Sequence, residues 1–249
     1  MINWNDVKFR ASSWGNLNTE PQSKADKDAG RLSVTCQKEL IKIYNQVKYG
    51  RKKEIVTKQM QKGILAEGDS IALFSMLEGQ LFYKNEDALE NEWFTGHPDI
   101  FTGESIHQAN QIWDIKTSWE LDSFTPKLVE KLDAGYEAQL NVYYSLTGVD
   151  SGGLAYCLVS APQNIIMDEK RKLLYAMDVI SEDSPSFVKA AQELERNMVF
   201  DDIPPEERCI RIEVPRNDEL IEKMKEKVPR LREFLADFEK KHLAQYKMV

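Results

Sequence analysis

With 249 residues, of which 42% are hydrophobic and 30% charged, the chain can bury a sizeable core as one large domain or a domain with an appended lobe. No apolar run reaches the roughly 18 residues of a membrane-spanning helix. The start, Met1-Ile2-Asn3-Trp4-Asn5-Asp6, lacks the basic and apolar regions of a secretory signal. Cys36, Cys157 and Cys209 are scattered and form no CxxC pair. That argues against a disulfide framework, a zinc site or an iron-sulfur cluster, and points to a reducing cytoplasm. The net charge of −8 argues at first against a nucleic-acid partner. Its distribution changes that reading: residues 1–62 hold 13 Lys+Arg and 6 Asp+Glu, a net of +7, and the remainder carries −15. Exposed charges act over roughly 8–10 Å, so a basic N-terminal part can grip phosphates on an acidic protein. Lys48, Arg51, Lys52, Lys53, Lys58 and Lys62 are its densest stretch. A solvated helix face is the competing reading.

In chain order, residues 18–30 read as a polar loop. A helix follows from about Ser33 to Lys48, with Leu40, Ile43, Tyr44 and Val47 as its apolar stripe and Gly50 as its stop. A second helix is expected from about Glu54 to Glu78, with the stripe Met60, Ile64, Glu67, Ile71 and Phe74. One member of that stripe is a carboxylate, which is costly to bury alone. Glu67 therefore either sits at the stripe's edge or is held for a purpose. Two strands come next, about 98–102 and 111–117. In the second, Ile112, Asp114 and Lys116 share one face and Trp113, Ile115 and Thr117 the other. A helix from about Asp133 to Leu146 places Tyr136, Gln139 and Tyr143 on one face, and Gly148 can cap it. Residues 154–159 read as a buried strand, and 172–180 and 209–214 as further strands. A helix is expected near 185–199 and a turn at Pro204-Pro205. Ile221, Met224, Val228, Leu231, Leu235 and Phe238 mark a long C-terminal helix, interrupted at Pro229 and packed on its own domain, with a subunit contact as the alternative.

Three short pieces carry chemistry: Gly96-His97-Pro98-Asp99, Asp114-Ile115-Lys116, and Gln139-Leu140-Asn141-Val142-Tyr143. Phosphodiester hydrolysis needs a deprotonated water, neutralised phosphoryl oxygens and a stabilised leaving oxygen. Magnesium or manganese on hard oxygen ligands can serve all three. Asp99 and Asp114 supply carboxylates from adjacent strands, Glu67 can supply a third, and the Ile115 carbonyl is a natural further ligand. Lys116 can orient and deprotonate the water or stabilise the transition state. A pKa depressed by a nearby divalent ion would favour the base role. Each piece has a bland counterpart: a turn, a surface ion pair, a chance helical spacing. Their joint order is what singles them out. Asp114 and Lys116 read as lying on the site and outside a packed core, so substitution there should spare folding.

The chain resembles the PD-(D/E)XK nucleases, specifically the RecB/YqaJ branch that includes the lambda-type phage exonucleases. Gly63-Ile64-Leu65-Ala66-Glu67 resembles that branch's first motif, His97-Pro98-Asp99 its Pro-Asp motif, Asp114-Ile115-Lys116 its (D/E)XK motif and Gln139 to Tyr143 its QxxxY motif. The motifs span roughly residues 8–160. The resemblance implies an α/β fold: a central mixed β-sheet flanked by helices, a restriction-endonuclease-like core. We expect that core over about 54–180, an N-terminal basic helical part over 1–53 and a C-terminal helical extension over 181–249, all in one nuclease domain. It also implies Mg²⁺ or Mn²⁺, attack on linear duplex DNA from the 5′ end, a ring-shaped trimer and a single-strand annealing protein as partner. Members of this kind hold a 5′-phosphate near the N-terminus, where this chain has Arg10, Ser12 and Ser13; either serine could instead be a helix N-cap. His97 stands where relatives carry a hydroxyl, and it would make a phosphate contact pH-sensitive. Competing readings are a Cas4- or RecB-like single-strand nuclease, which in the Cas4 case would need four cysteines, an endonuclease, and a catalytically silent DNA-binding module.

Overall fold

The computed structural model describes residues 2–52 and 57–246. The chain opens with a short strand, β1 (Phe9–Arg10), a 3₁₀ turn over Ala11–Ser13, and helices α1 (Trp14–Leu17), α2 (Lys24–Asp28) and α3 (Val34–Tyr49). Helix α2 lies within the segment expected to be loop. Ser33 starts α3 by accepting a hydrogen bond from the Cys36 amide, and Gly50 ends it at φ 61°, a conformation that favours glycine. Its inward face is Cys36, Leu40 and Tyr44, whereas Val47 is exposed.

The expected long helix over 54–78 is two helices, α4 (Lys58–Leu65) and α5 (Glu67–Glu78), separated at Ala66. Residues 53–56, where it was to begin, lie outside the described set. Gly63 and Gly68 flank the break and are weak helix formers. The break also splits the apolar stripe: Ile71 and Phe74 are buried in α5, but Met60 and Ile64 are exposed on α4. The side chain α4 buries is Lys62. Its ammonium donates to the carbonyls of Ser118 (2.8 Å) and Trp119 (3.0 Å) and faces the Trp119 and Phe200 rings. Burial pulls its pKa down to about 8, with the Glu120 charge opposing. Lys62 thus ties down the chain leaving Asp114-Ile115-Lys116.

Next come β2 (Leu89–Glu90), β3 (Phe94–Gly96), β4 (Ile100–Gly103), β5 (Ala109–Thr117), α6 (Leu121–Phe124), α7 (Ala134–Thr147) and β6 (Gly152–Cys157). Helices α8 (Gln163–Ala176) and α9 (Pro185–Arg196), strand β7 (Cys209–Glu213) and helix α10 (Asp218–Tyr246) complete the order. The strand expected over 172–180 is instead the last part of α8 and the turn after it. Ion pairs at helical spacing, Asp168–Arg171 and Glu169–Lys172, support the helix. The short run Leu173-Leu174-Tyr175 fits either periodicity when read alone.

Two mixed sheets result. One has the order β1-β3-β2, and the other β4-β5-β6-β7. In the second, β5 and β6 run parallel, joined by α7 as the crossover helix, while β4 and β7 pair antiparallel at the edges. Alternation along β5 and β6 divides the core. Ile112, Leu154 and Tyr156 pack towards α7, and Trp113, Ile115, Ala155 and Cys157 pack towards Ile71 and Phe74 of α5. The α7-side cluster continues through Trp4, Trp14 and Tyr44 to Ile221, Met224, Val228, Leu231 and Leu235 of α10. Helix α10 therefore packs on its own chain, and it runs through Pro229 without ending. Glu239 near its far end accepts from the Trp4 indole (2.6 Å) and pairs with Lys48. Among the described residues no helix is long and apolar enough to cross a membrane.

Candidate active site

The site forms where the β4–β5 ladder opens. The last registered pair is Ile100 with Trp113. One residue earlier on the first strand stands Asp99, and its Oδ2 accepts the Ile115 amide proton at 2.7 Å. That bond sets Asp99 beside Asp114, which is 1% exposed. Asp114 points towards α7 because Ile112 and Leu154 already do. There its Oδ1 accepts from Gln139 Nε2 at 3.0 Å, and the same amide donates to the Tyr143 hydroxyl at 2.9 Å. Lys116 pairs with Asp114 Oδ2 and lies 4.8 Å from the centre of the Tyr136 ring. Tyr136, Gln139 and Tyr143 share the face of α7 that their spacing required.

Glu67 is the first residue of α5, where a carboxylate suits the positive end of the helix. It is held by Lys84 at 2.6 Å. Its negative charge acts on both Asp99 and Asp114. Among the described residues no three His, Cys, Asp or Glu side chains converge tightly enough to hold a metal ion by themselves.

No protein-family model and no curated protein matches this sequence. Solved structures do. A phage related exonuclease from Haemophilus somnus 129PT superposes with a TM-score of 0.72 at 25% identity, over 95% of this chain and 97% of that one. The chain shares the fold of the phage-related exonucleases. An alkaline exonuclease (LHK-Exo) from Laribacter hongkongensis matches with a TM-score of 0.62 at 14% identity, over 99% of this chain and 98% of its own. The same enzyme in complex with dAMP matches at 0.61 and 15%, over 97% and 95%. At that identity the alkaline exonuclease speaks for the fold alone.

Within this exonuclease fold, the electrostatics of the carboxylates are those of a site built for positive charge. Burial first, and the Asp114 charge second, push Asp99 up to about 7, against the pull of Lys116 and the Ile115 amide. Burial also raises Asp114, which Lys116 only partly offsets. A buried acid, Asp114, and a partly buried one, Asp99, that resist ionising together fit a divalent cation, whose charge would remove that cost. For Lys116, burial pulls the pKa down, but Asp114 and then Asp99 outweigh it, and the net shift is upward. Without a bound cation, the chain's own charges therefore hold Lys116 as an ammonium. Burial, with Asp114, raises the Tyr143 hydroxyl as well, so it stays protonated.

A pH dependence follows. Asp99 has a native pKa of about 7 against an ordinary 3.8. It binds its proton more tightly folded than unfolded, so its contribution favours folding below about pH 4 and is lost as pH rises to about 7. In EDTA, wild type should lose thermal stability between about pH 5 and about pH 7.5 relative to Asp99→Asn, whose side chain cannot ionise. Parallel melting curves across that range would show that Asp99 is not shifted.

The remaining candidates divide into two groups. Arg10 in β1 pairs with Thr95 of β3, directly before Gly96 and His97. Its charge acts on Tyr143. The turn holding Ser12 and Ser13 packs on α7, and Gly15 and Gly135 let the backbones cross, since a Cβ on Gly15 would lie 3.0 Å from the Gly135 Cα. Ser13 occupies the N-cap of α1 without making a side-chain cap bond. His97 is half-buried, and its Nε2 has no hydrogen-bond partner among the described residues. Arg10 thus acts on Tyr143, His97 follows the Gly96 that packs against the Tyr143 ring, and the serine turn lies on α7. The basic stretch is largely engaged elsewhere. Lys48 pairs with Glu239, Lys58 with Asp168, and Lys62 is buried. Arg51 and Lys52 are exposed at the end of α3, next to the Tyr49–His242 contact with α10. Lys53 lies outside the described residues. The expected patch is therefore partly consumed by the fold. Sequence reading missed Lys84 and Asn85, because residues 80–88 carry no periodicity; the only available signal was a lysine between two acidic motifs.

Proposed function

We propose that this protein is a divalent-metal-dependent DNA exonuclease that degrades linear double-stranded DNA 5′→3′ in phage or prophage recombination. The observation that carries the reading is the convergence of Asp99, Asp114, Lys116 and Gln139 at the open end of one strand pair, in a fold shared over nearly its full length with a phage related exonuclease. Asp99, Asp114 and the Ile115 carbonyl would hold Mg²⁺ or Mn²⁺, and Glu67, paired with Lys84 in this structure, would join them as a third carboxylate. Once bound, the ion supplies charge neutralisation at the phosphoryl group and a more acidic water. Gln139 fixes the rotamer of Asp114, and Tyr143 fixes Gln139. Lys116 is placed to donate as an ammonium to the phosphoryl oxygens as negative charge builds on them. Arg10, Ser12, Ser13 and His97 are suited to a terminal 5′-phosphate, because an arginine and hydroxyls make charge-assisted bonds to it. The ring-shaped trimer and the single-strand annealing partner belong to the same reading, through the family resemblance.

The test uses end-labelled DNA with Mg²⁺. Linear duplex with a 5′-phosphate should be consumed from that end, a covalently closed circle should survive, and EDTA should stop the reaction. Rapid cutting of the circle would make the protein an endonuclease instead.

A further inference from the structure

The segment between α5 and β2 brings a second lysine to the carboxylates. Lys84 Nζ lies 2.6 Å from Glu67 Oε2. The negative charges of Glu67, Asp99 and Glu86 all act on it. Its placement is enforced by the next residue. Asn85 is 4% exposed and is sewn to the Pro-Asp turn: its amide donates to the Asp99 carbonyl (2.7 Å) and its Nδ2 to the Pro98 carbonyl (3.0 Å). Nδ2 also donates to the Asp87 carbonyl (2.9 Å), and Oδ1 accepts from the Asp87 amide (3.2 Å). An irregular segment is thereby fixed in register with Asp99, and a lysine is fixed with it. Lys116 covers Asp114 on the α7 side; Lys84 covers Glu67 on the α5 side. Lys116 is 25% exposed, whereas Lys84 is 45% exposed and borders solvent.

We propose that Lys84 is a second functional cation of the site: it neutralises Glu67 until a divalent ion takes that carboxylate, and is then released to a non-bridging phosphate oxygen of the bound strand. This rests on the nuclease reading above. The chemistry is an exchange of partners. A metal ion and an ammonium compete for one carboxylate oxygen, and the displaced ammonium, still beside Asp99 and Glu86, becomes available to a phosphate oxygen of the strand. Asn85 acts through Lys84 and Asp99 as a positioning residue.

Removing the competing ammonium should tighten the metal and weaken the DNA. In Lys84→Met, Mn²⁺ or Ca²⁺ binding followed calorimetrically without DNA should tighten by about fivefold, the scale of one partly exposed ion pair. KM for linear duplex should rise by about tenfold, the loss of one charge-assisted phosphate contact, with a smaller change in kcat. Lys84→Arg should restore KM to within about threefold, because it keeps the charge. The side chain is half-exposed, so both variants should fold; their melting temperatures in EDTA check this. If wild type binds metal and cuts DNA but Lys84→Met matches it in both metal affinity and KM, the role of Lys84 is overturned and the nuclease reading stands. If wild type neither binds metal nor cuts, both fall together.

Discussion

Asp114→Asn should reduce cleavage of linear duplex by at least about a thousandfold, which corresponds to about 4 kcal/mol of lost transition-state stabilisation. Asp114 is the carboxylate to which the other groups are fastened: Lys116 pairs with it, Gln139 donates to it and Asp99 feels its charge. The amide is nearly isosteric and Gln139 can still donate to its oxygen, so geometry persists while the charge disappears. The effect on folding differs from what the sequence suggested. Asp114 was expected to lie outside a packed core, but it is buried, and burial raises its pKa. Removing a charge that the interior disfavours should leave the melting temperature in EDTA unchanged or higher. Initial rates and thermal melts on the same preparation check both halves. Cleavage at the wild-type rate would remove Asp114 from the mechanism.

Lys116→Ala should lose about a hundredfold to a thousandfold in rate, as expected for one donor aimed at developing negative charge. Here the stability effect has the opposite sign. Without the ammonium, Asp114 is a buried carboxylate facing Asp99 and Glu67, and breaking a pair of this kind costs about 3 kcal/mol. In EDTA the variant should melt well below wild type, contrary to the sequence expectation that folding is spared. Magnesium should restore much of the difference, because a cation bound by Asp99 and Asp114 replaces the lost charge. The measurement is the Mg²⁺-induced rise in melting temperature, which should be larger in Lys116→Ala than in wild type. Equal rises in the two proteins would place the metal away from these carboxylates.

The parts of the site legible in the sequence are those set by local periodicity. Alternation along 109–117 put Asp114 and Lys116 on one face, and helical spacing put Tyr136, Gln139 and Tyr143 on another. Both depend only on backbone geometry that each segment adopts by itself. The misreadings arose where periodicity is weak or misleading. The stripe through Met60, Ile64 and Glu67 continued across a break at Ala66, and the apolar run at 173–175 was too short to separate strand from helix. The small sheet β1-β3-β2 has strands of two or three residues, too short to leave a pattern.

The sequence by itself determined which chemistry-bearing residues the chain has, their order, and the faces on which Asp114, Lys116, Gln139 and Tyr143 stand. Local backbone geometry suffices for that. Tertiary structure decided what those groups experience. Asp99 meets the Ile115 amide because the β4–β5 ladder ends one pair earlier. Lys62 is buried against the Ser118 and Trp119 carbonyls, and Lys48 and Lys58 are neutralised by residues about 190 and 110 positions away. Lys84 reaches Glu67 because Asn85 is bonded to the Pro98-Asp99 turn. These are contacts between segments distant in sequence, and burial, charge and pKa depend on all of them together.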